Sequence, residues 1–166
     1  MYLMKRKEET MNRKIFIFSL AIMLALTIGS TVQAAEYKTP DQLVTEAKSA
    51  VKEVNVADLK KMLDTNENIV VLDIRDRDEY EKQHIPGAIH MSRGLVDLHV
   101  EEIIPDKNTK IVLYWIFDKR SPLATKSLNE LGYVNAVNLN GGLKAWMDAG
   151  YPLYKNKKGF SLADKY

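Results

Sequence analysis

The sequence contains no cysteine among its 166 residues. Disulfide bonds are therefore excluded, as are a thiol nucleophile and a lipid anchor attached to cysteine. A chain without disulfides depends on a hydrophobic core for its stability, and a chain of this length can build one as a single domain of ordinary size.

Histidine is also scarce, with three residues in the whole chain. His84, His90 and His99 lack the spacing of a recognised metal site, so we expect neither a bound metal ion nor another cofactor. The chain has no internal repeat and no low-complexity tract, which excludes solenoid and fibrous classes.

The first 34 residues have the order of a signal peptide. Basic residues precede an uncharged apolar run from Ile15 to Ile28, which is short for a membrane span of about 20 residues. Small residues at Val32 and Ala34 predict cleavage after Ala34 and export to the periplasm, with the cell envelope or the medium as alternatives. An uncleaved membrane anchor is the competing interpretation, and Met11 is a candidate start because the signal is complete from there.

The charge balance changes once this segment is removed. Residues 1–34 hold five of the 24 basic and two of the 22 acidic residues, so the mature chain has a net charge of about −1. This balance gives no reason to expect binding to nucleic acid or a polybasic membrane patch, and no stable membrane anchor is expected after cleavage.

Residues 35–54 predict an amphipathic helical arm. Thr39, Pro40 and Gln42 are typical of a capped helix start with a capping box. One face of the helix is apolar, which favours packing on the domain, with a contact surface for a partner as the alternative. The apolar residues are Leu43, Val44, Ala47, Ala50, Val51 and Val54.

Beyond the arm, short apolar strands alternate with helices. This alternation predicts an α/β layer fold with a parallel sheet. The predicted strands are 69–74, 88–91, 111–114 and 136–139, and the predicted helices are 57–64, 76–83, 92–104, 121–131 and 143–149. Ser121 is the expected cap of the helix that follows the central strand, and residues 154–166 are expected to form a loose tail.

Several segments in order resemble a single-domain rhodanese. The resemblance covers about residues 55–153 and implies a parallel five-stranded sheet with helices on both faces. It is strongest in VLDIRDRDEY at 71–80, HIPGAIH at 84–90, the strand, loop and helix at 110–131, and LGYVNAVNLNGGLKAW at 131–146. The arm and MSRGLVDL at 91–98 further resemble the exported members.

The resemblance also implies where a sulfurtransferase site would lie. In that family the loop after the central strand begins with a cysteine that carries sulfane sulfur between donor and acceptor, and it continues through a glycine to an arginine and a small residue. Laid on this chain, the cysteine position is Trp115, the glycine position Asp118, and the last two are Arg120 and Ser121. The loop equivalents are Trp115, Ile116, Phe117, Asp118, Lys119 and Arg120.

The loop lacks the chemistry of sulfur transfer. Persulfide transfer requires a thiolate that attacks, holds and releases sulfur, which neither an indole nor a carboxylate can do. Trp115, Ile116 and Phe117 either fill the former pocket or stand partly exposed as a contact surface for a protein or for a small apolar or anionic ligand.

Polar residues near the loop have more than one interpretation. Asp73 and Arg75, at the end of the strand 69–74, are expected to form a structural ion pair that supports the loops. Arg120 either attracts an anion or pairs with Asp118. Asp118 as a carboxylate nucleophile is conceivable, although no partner base is apparent.

The leading hypothesis is an exported rhodanese-like domain that lacks sulfurtransferase activity and acts as a binding or accessory module. An enzyme of the same scaffold, with an unrecognised reaction using Arg120 and Asp118, is the alternative. A purely structural domain in a larger assembly is a third. The oligomeric state is left open.

Overall fold

The structure is a computed structural model that describes Arg6, residues 8–11, Arg13, Lys14, Phe16 and residues 37–155. The chain divides into two compact units, Met1–Tyr37 and Lys38–Tyr166. The described residues of the first unit before Tyr37 are helical. Most of the predicted signal peptide, including its cleavage site, lies outside the described residues. No helix among the described residues is long and apolar enough to cross a membrane.

The second unit is built from six helices and seven strands within residues 38–155. In chain order they are α1 (Pro40–Ala50), β1 (Glu53–Val54), α2 (Val56–Asp64), β2 (Ile69–Asp73), α3 (Arg77–Lys82), β3 (Gln83–His84), β4 (Ile89–His90), α4 (Arg93–Ile103), β5 (Lys110–Tyr114), α5 (Arg120–Glu130), β6 (Ala136–Leu139), α6 (Gly142–Asp148) and β7 (Tyr154–Lys155).

Five strands form a parallel sheet in the order β1-β6-β5-β2-β4, which confirms the predicted fold class. Strand β2 pairs with β5 along its whole length, from Ile69 opposite Lys110 to Asp73 opposite Tyr114. The carboxyl ends of these two central strands therefore lie side by side, at the edge where open parallel sheets bind ligands.

The sheet has a hydrophobic core on each face. Successive side chains of β5 alternate between them, because side chains in a strand point to opposite faces. Ile111 and Leu113 join the core with α4 and α5, whereas Val112 and Tyr114 join the core with α2 and α6. All four side chains are fully buried.

Helices α1 and α3 both begin with a capping box, and that of α1 is the one predicted. The Thr39 amide donates to Gln42 Oε1 at 2.7 Å and the Gln42 amide donates to Thr39 Oγ1 at 3.3 Å, which completes the capping box of α1. The Asp76 amide donates to Glu79 Oε2 at 3.3 Å at the start of α3.

The expected cap at Ser121 is wrong. Helix α5 begins at Arg120, because Lys119 already has right-handed helical torsion angles of φ −119° and ψ −49°. A capping residue needs an extended backbone, and Ser121 instead lies fully buried inside the first turn. Its Oγ has no hydrogen-bond partner in the described part of the chain.

Two other strand boundaries differ from expectation. Gln83 and His84 form β3 directly after the shorter helix α3, where the helix was predicted to run to residue 83. They pair antiparallel with Tyr154 and Lys155 of β7. The Tyr154 ring also stacks on His84, with centroids 4.9 Å apart. The predicted loose tail is therefore wrong for its first two residues. Residues 156–166 lie outside the described part.

The carboxyl end of β2 carries a buried ion pair, as expected. Arg75 Nη2 donates to Asp73 Oδ2 at 2.6 Å, and Arg75 Nε lies 3.0 Å from both carboxylate oxygens. Arg75 Nη2 also donates to the Gln83 carbonyl at 2.7 Å, and His90 Nε2 contacts the Arg75 carbonyl at 2.9 Å. The pair therefore links the end of β2 to β3 and β4.

Tyr114 completes this end of the sheet. Its hydroxyl accepts a hydrogen bond from the Ile85 amide at 3.2 Å. Burial, reinforced by the negative charge of Asp73, raises the pKa of the Tyr114 hydroxyl well above its ordinary value of about 10. The neutral phenol is therefore the form that the folded chain requires.

Replacing Tyr114 by Phe tests this requirement. Because the folded pKa of Tyr114 is raised, its contribution to stability is complete below about pH 10 and is lost as pH rises further. We expect the wild-type free energy of unfolding to fall with pH above 10 more steeply than that of Tyr114→Phe, by up to about 1.4 kcal/mol per pH unit.

Urea unfolding at several pH values between 9 and 11 measures these slopes. Tyr37→Phe is the matched control, because Tyr37 is 93% exposed, and it should keep the wild-type slope. Equal slopes for wild type and Tyr114→Phe would contradict the role given to the buried phenol.

Candidate functional site

The candidate site is the loop 115–119, between β5 and α5. It follows the carboxyl end of the central strand β5, and α5 begins directly after it. The sheet order places this loop between the ends of β2 and β6.

The alternation of β5 continues into the loop. Trp115 packs against the core that contains Ile111 and Leu113, and Ile116 packs against the opposite core. Both side chains are half-buried, whereas Phe117 is 52% exposed. The three large side chains therefore behave differently: Trp115 and Ile116 fill space beside the two cores, and Phe117 stands at the surface with its ring edge toward Trp115, centroids 5.7 Å apart.

The backbone of the loop is held by the start of α6. The Leu143 amide donates to the Trp115 carbonyl at 2.8 Å, and the Lys144 amide donates to the Ile116 carbonyl at 2.9 Å. These amides belong to the first turn of α6, which has no intrahelical acceptors for them. The loop therefore satisfies the free amides of α6 with its own carbonyl groups.

Gly142 makes this close approach feasible. Its φ is +61°, and a Cβ at this position would lie 2.4 Å from the Trp115 carbonyl oxygen and 2.3 Å from that of Phe117. Any side chain here would displace the loop. The Asn-Gly-Gly run before α6 marks this turn in the sequence, but its contact with the loop is visible only in the structure.

Asp118 lies in a polar cluster beside the loop, and its side chain is only 14% exposed. It forms an ion pair with Lys48 of α1 and accepts a hydrogen bond from Asn138 Nδ2 at 2.7 Å. Asn138 is fully buried in β6 and also donates to Glu53 Oε1 at 2.9 Å. The cluster therefore joins the loop to α1, β1 and β6.

Of the two roles predicted for Arg120, the pair with Asp118 is wrong. Asp118 pairs with Lys48, while the Arg120 guanidinium lies over the Trp115 ring, 5.0 Å from its centroid. This distance is typical of a cation–π contact. Lys119 Nζ pairs with Asp41 of α1 at 3.2 Å.

An open groove lies between the loop and α1, with a volume of about 370 Å³. Leu43 is 45% exposed and Val44 is half-buried along it, while Ala47 is fully buried and helix α1 packs against α5. The apolar face of the arm thus packs in part and lines a groove in part. The groove is lined by Lys38, Pro40, Asp41, Leu43, Val44, Trp115, Lys119, Arg120 and Leu123.

Asp73 and Arg75 do not line this groove. They are 0% and 3% exposed and are bonded to each other and to the Gln83 carbonyl, so they support the neighbouring loops. Within residues 37–155 and the described N-terminal positions, no group of three or more His, Cys, Asp or Glu residues could hold a metal ion.

The sequence did not reveal several residues of the site. Lys48 and Asn138 contact Asp118 across 70 and 20 residues of chain, and nothing in their local pattern indicates it. For Gly142, the paired glycines at 141 and 142 were a signal in the sequence. Leu43 and Val44 were identified as apolar face residues, but not as one wall of a groove.

A parallel five-stranded sheet with this loop at its edge is the architecture of a rhodanese fold. The chain belongs to the rhodanese-like domain family, which matches residues 55–149.

Curated relatives are sulfur-handling proteins. A sulfurtransferase of Allochromatium vinosum is 31% identical over 103 residues, which is 62% of this chain and 94% of that protein. A putative sulfurtransferase of Bacillus subtilis, YtwF, is 31% identical over 58% of this chain and 90% of its own length. The putative sulfur carrier protein YrkF of the same organism is 30% identical over 61% of this chain, and the match spans about half of it, 54%.

Solved structures agree on the fold. A possible tyrosine phosphatase of Rhodopseudomonas palustris superposes with a TM-score of 0.67 at 26% identity, covering 74% of this chain and 99% of that one. A thiosulfate sulfurtransferase of Pseudomonas aeruginosa has a TM-score of 0.63 at 28% identity, covering 74% of this chain and 24% of that one.

Replacing Gly142 by Ala tests the attachment of the loop to α6. The added Cβ meets two carbonyl groups and the left-handed backbone disfavours it, so we expect a loss of about 3 kcal/mol in the free energy of unfolding. Urea denaturation measures this loss.

Gly94→Ala is the matched control. A Cβ on Gly94 in α4 meets nothing within 4 Å, and alanine suits a helix better than glycine. This variant should be within about 1 kcal/mol of wild type or more stable. A Gly142→Ala protein as stable as Gly94→Ala would show that the loop does not depend on the close approach.

Proposed function

We propose that this chain is an exported rhodanese-like domain without sulfurtransferase activity, which acts as a binding or accessory module. The single observation that carries the proposal is that no cysteine exists anywhere in the sequence, while the family scaffold is retained. Persulfide chemistry has no substitute for a thiolate among the side chains present.

The surroundings of the loop support the same conclusion. A reactive thiolate is favoured by positive charge and by backbone amides around it. Here the first amides of α6 are already bonded to the Trp115 and Ile116 carbonyl groups. The carboxylate of Asp118 lies in the same loop. Asp118 adds a negative charge to the loop and occupies the cation Lys48, which leaves the Arg120 guanidinium over the Trp115 ring as the positive charge beside position 115.

The alternative of a different reaction at the same loop has less support. It requires Arg120 and Asp118 to act on one ligand, but Asp118 is bonded to Lys48 and Asn138, and Arg120 lies over Trp115. A ligand that bound both side chains would first have to break the contacts of Asp118 with Lys48 and Asn138. We therefore favour a binding role.

A sulfur-transfer assay tests the proposal. The purified chain should transfer sulfur from thiosulfate to cyanide no faster than a heat-inactivated sample, measured as thiocyanate formation. Turnover well above that background in the native protein would overturn the proposal.

Restoring the missing thiol gives a second expectation. Trp115→Cys alone should stay near background because Asp118 disfavours the thiolate. Trp115→Cys combined with Asp118→Gly removes that charge and should be the more active of the two, by about tenfold. Equal activities would show that the carboxylate does not suppress thiolate chemistry here.

Export is proposed on the signal-like order of residues 1–34. Expression of the whole sequence in a bacterium with a periplasm should yield a periplasmic protein that begins at Ala35, as measured by mass spectrometry of the fractionated cells. Replacing both Val32 and Ala34 by Lys should block cleavage. Recovery of uncleaved wild type in the cytoplasm would contradict export.

A further inference from the structure

The groove between α1 and the loop has the size and composition of a small-molecule site. Its volume of about 370 Å³ lies in the usual range for such sites, roughly 300–1,000 Å³. One wall comes from the arm α1, which precedes the residues matched by the family, 55–149. The other wall comes from the loop and the first turns of α5. The groove is thus formed jointly by the family scaffold and an additional helix.

The interior of the groove is mainly apolar. Leu43 and Val44 contribute from α1, and Trp115 and Leu123 contribute from the opposite wall. Leu43 is 45% exposed, and the other three side chains are half-buried. An apolar ligand that covered these side chains would remove their remaining exposed area from water, which is favourable.

The basic side chains on the rim of the groove differ in whether they form ion pairs. Lys38 pairs with Glu46 at 2.6 Å, and Lys119 pairs with Asp41 at 3.2 Å. Arg120 pairs with no carboxylate among residues 37–155, and its guanidinium rests on the Trp115 ring. The guanidinium therefore remains free to bind an anion beside the apolar wall.

The pair between Lys119 and Asp41 also constrains the shape of a ligand. Both residues line the groove, one on the loop and one on α1. Their contact links the two walls at the rim, which favours a short ligand over a long polypeptide. A small ligand with one apolar body and one anionic end fits without breaking that contact.

We propose that the groove binds a medium-chain fatty carboxylate, with the alkyl chain against Leu43, Val44 and Trp115 and the carboxylate on Arg120. The proposal rests on the binding role given above and names its ligand class. Arg120 supplies a planar pair of donors that match a carboxylate.

Decanoate is the probe, and the full chain is the sample. Calorimetric titration and the tryptophan fluorescence of the chain, which comes from Trp115 and Trp146 together, should both report saturable binding. Decanol keeps the alkyl chain without the charge, and acetate keeps the charge without the chain. We expect both to bind at least about tenfold more weakly than decanoate.

Two pairs of variants distinguish recognition of the carboxylate from recognition of the alkyl chain. Arg120→Gln should weaken decanoate about tenfold and leave decanol unchanged, whereas Lys126→Gln, on an exposed cation of α5 outside the groove, should change neither. Leu43→Ser should weaken decanoate and decanol alike. Leu98→Ser is its control, because Leu98 is 75% exposed on α4 and does not line the groove.

Several outcomes would overturn the proposal. They are an absence of saturable decanoate binding to wild type, equal affinity for decanoate in wild type and Arg120→Gln, and tighter binding of a short apolar peptide with a free carboxylate than of decanoate. A dimer that decanoate leaves intact and Leu43→Ser dissociates would assign the groove to a second copy and would equally overturn it. Thermal unfolding followed by circular dichroism verifies that each variant is folded.

The failure of this proposal is distinguishable from failure of the proposed function. Thiocyanate formation by the native chain would refute the loss of sulfurtransferase activity while leaving decanoate binding intact. A chain that neither forms thiocyanate nor binds decanoate would refute only the ligand class.

Discussion

The burial of β5 on both faces is the constraint on which the site depends. A shift of one residue in β5 would exchange every side chain between the two cores, and it would separate the Tyr114 hydroxyl from the Ile85 amide. Trp115 and Ile116 continue the same alternation beyond the last paired residue. The loop therefore begins at the ligand-binding edge of the sheet with Trp115 and Ile116 packed against opposite cores.

The second fixed point of the loop is the start of α6. Helix starts carry free amides that attract negative groups, and here they are satisfied by carbonyl groups of the loop itself. Together with Asp118, these contacts fill the loop region with the chain's own acceptors. Loss of the thiol and filling of the loop are thus two aspects of one local structure.

Much of the fold could be predicted from sequence because its signals are local. The apolar runs of β2 and β5, the capping box of α1 and the Asp76 start of α3 each depend on residues within a few positions of one another. The resemblance to rhodaneses then fixed the sheet. The start of α5 was misplaced by one residue because Ser121 has the sequence of a cap but the burial of a core residue.

The site itself was less predictable because its contacts are distant in sequence. Asp118 and Arg120 are two residues apart, and a pair between them was one of two equal alternatives for Arg120. Lys48, 70 residues away, binds Asp118 instead, because α1 packs along α5. The fate of Trp115, Ile116 and Phe117 was left open between filling and exposure, and it divides by side chain. Trp115 and Ile116 continue the alternation of β5 to opposite cores, whereas Phe117 lies at the surface.

The position of Lys48 has a consequence for where this domain begins. The residues that match the family start at 55, yet the cation that neutralises Asp118 and one wall of the groove lie before that point. A fragment cut at the family boundary would lose β1 and the core residue Val54, and it would leave a nearly buried carboxylate without its counter-charge. For this chain, the unit that completes the sheet and neutralises Asp118 begins before the residues that match the family.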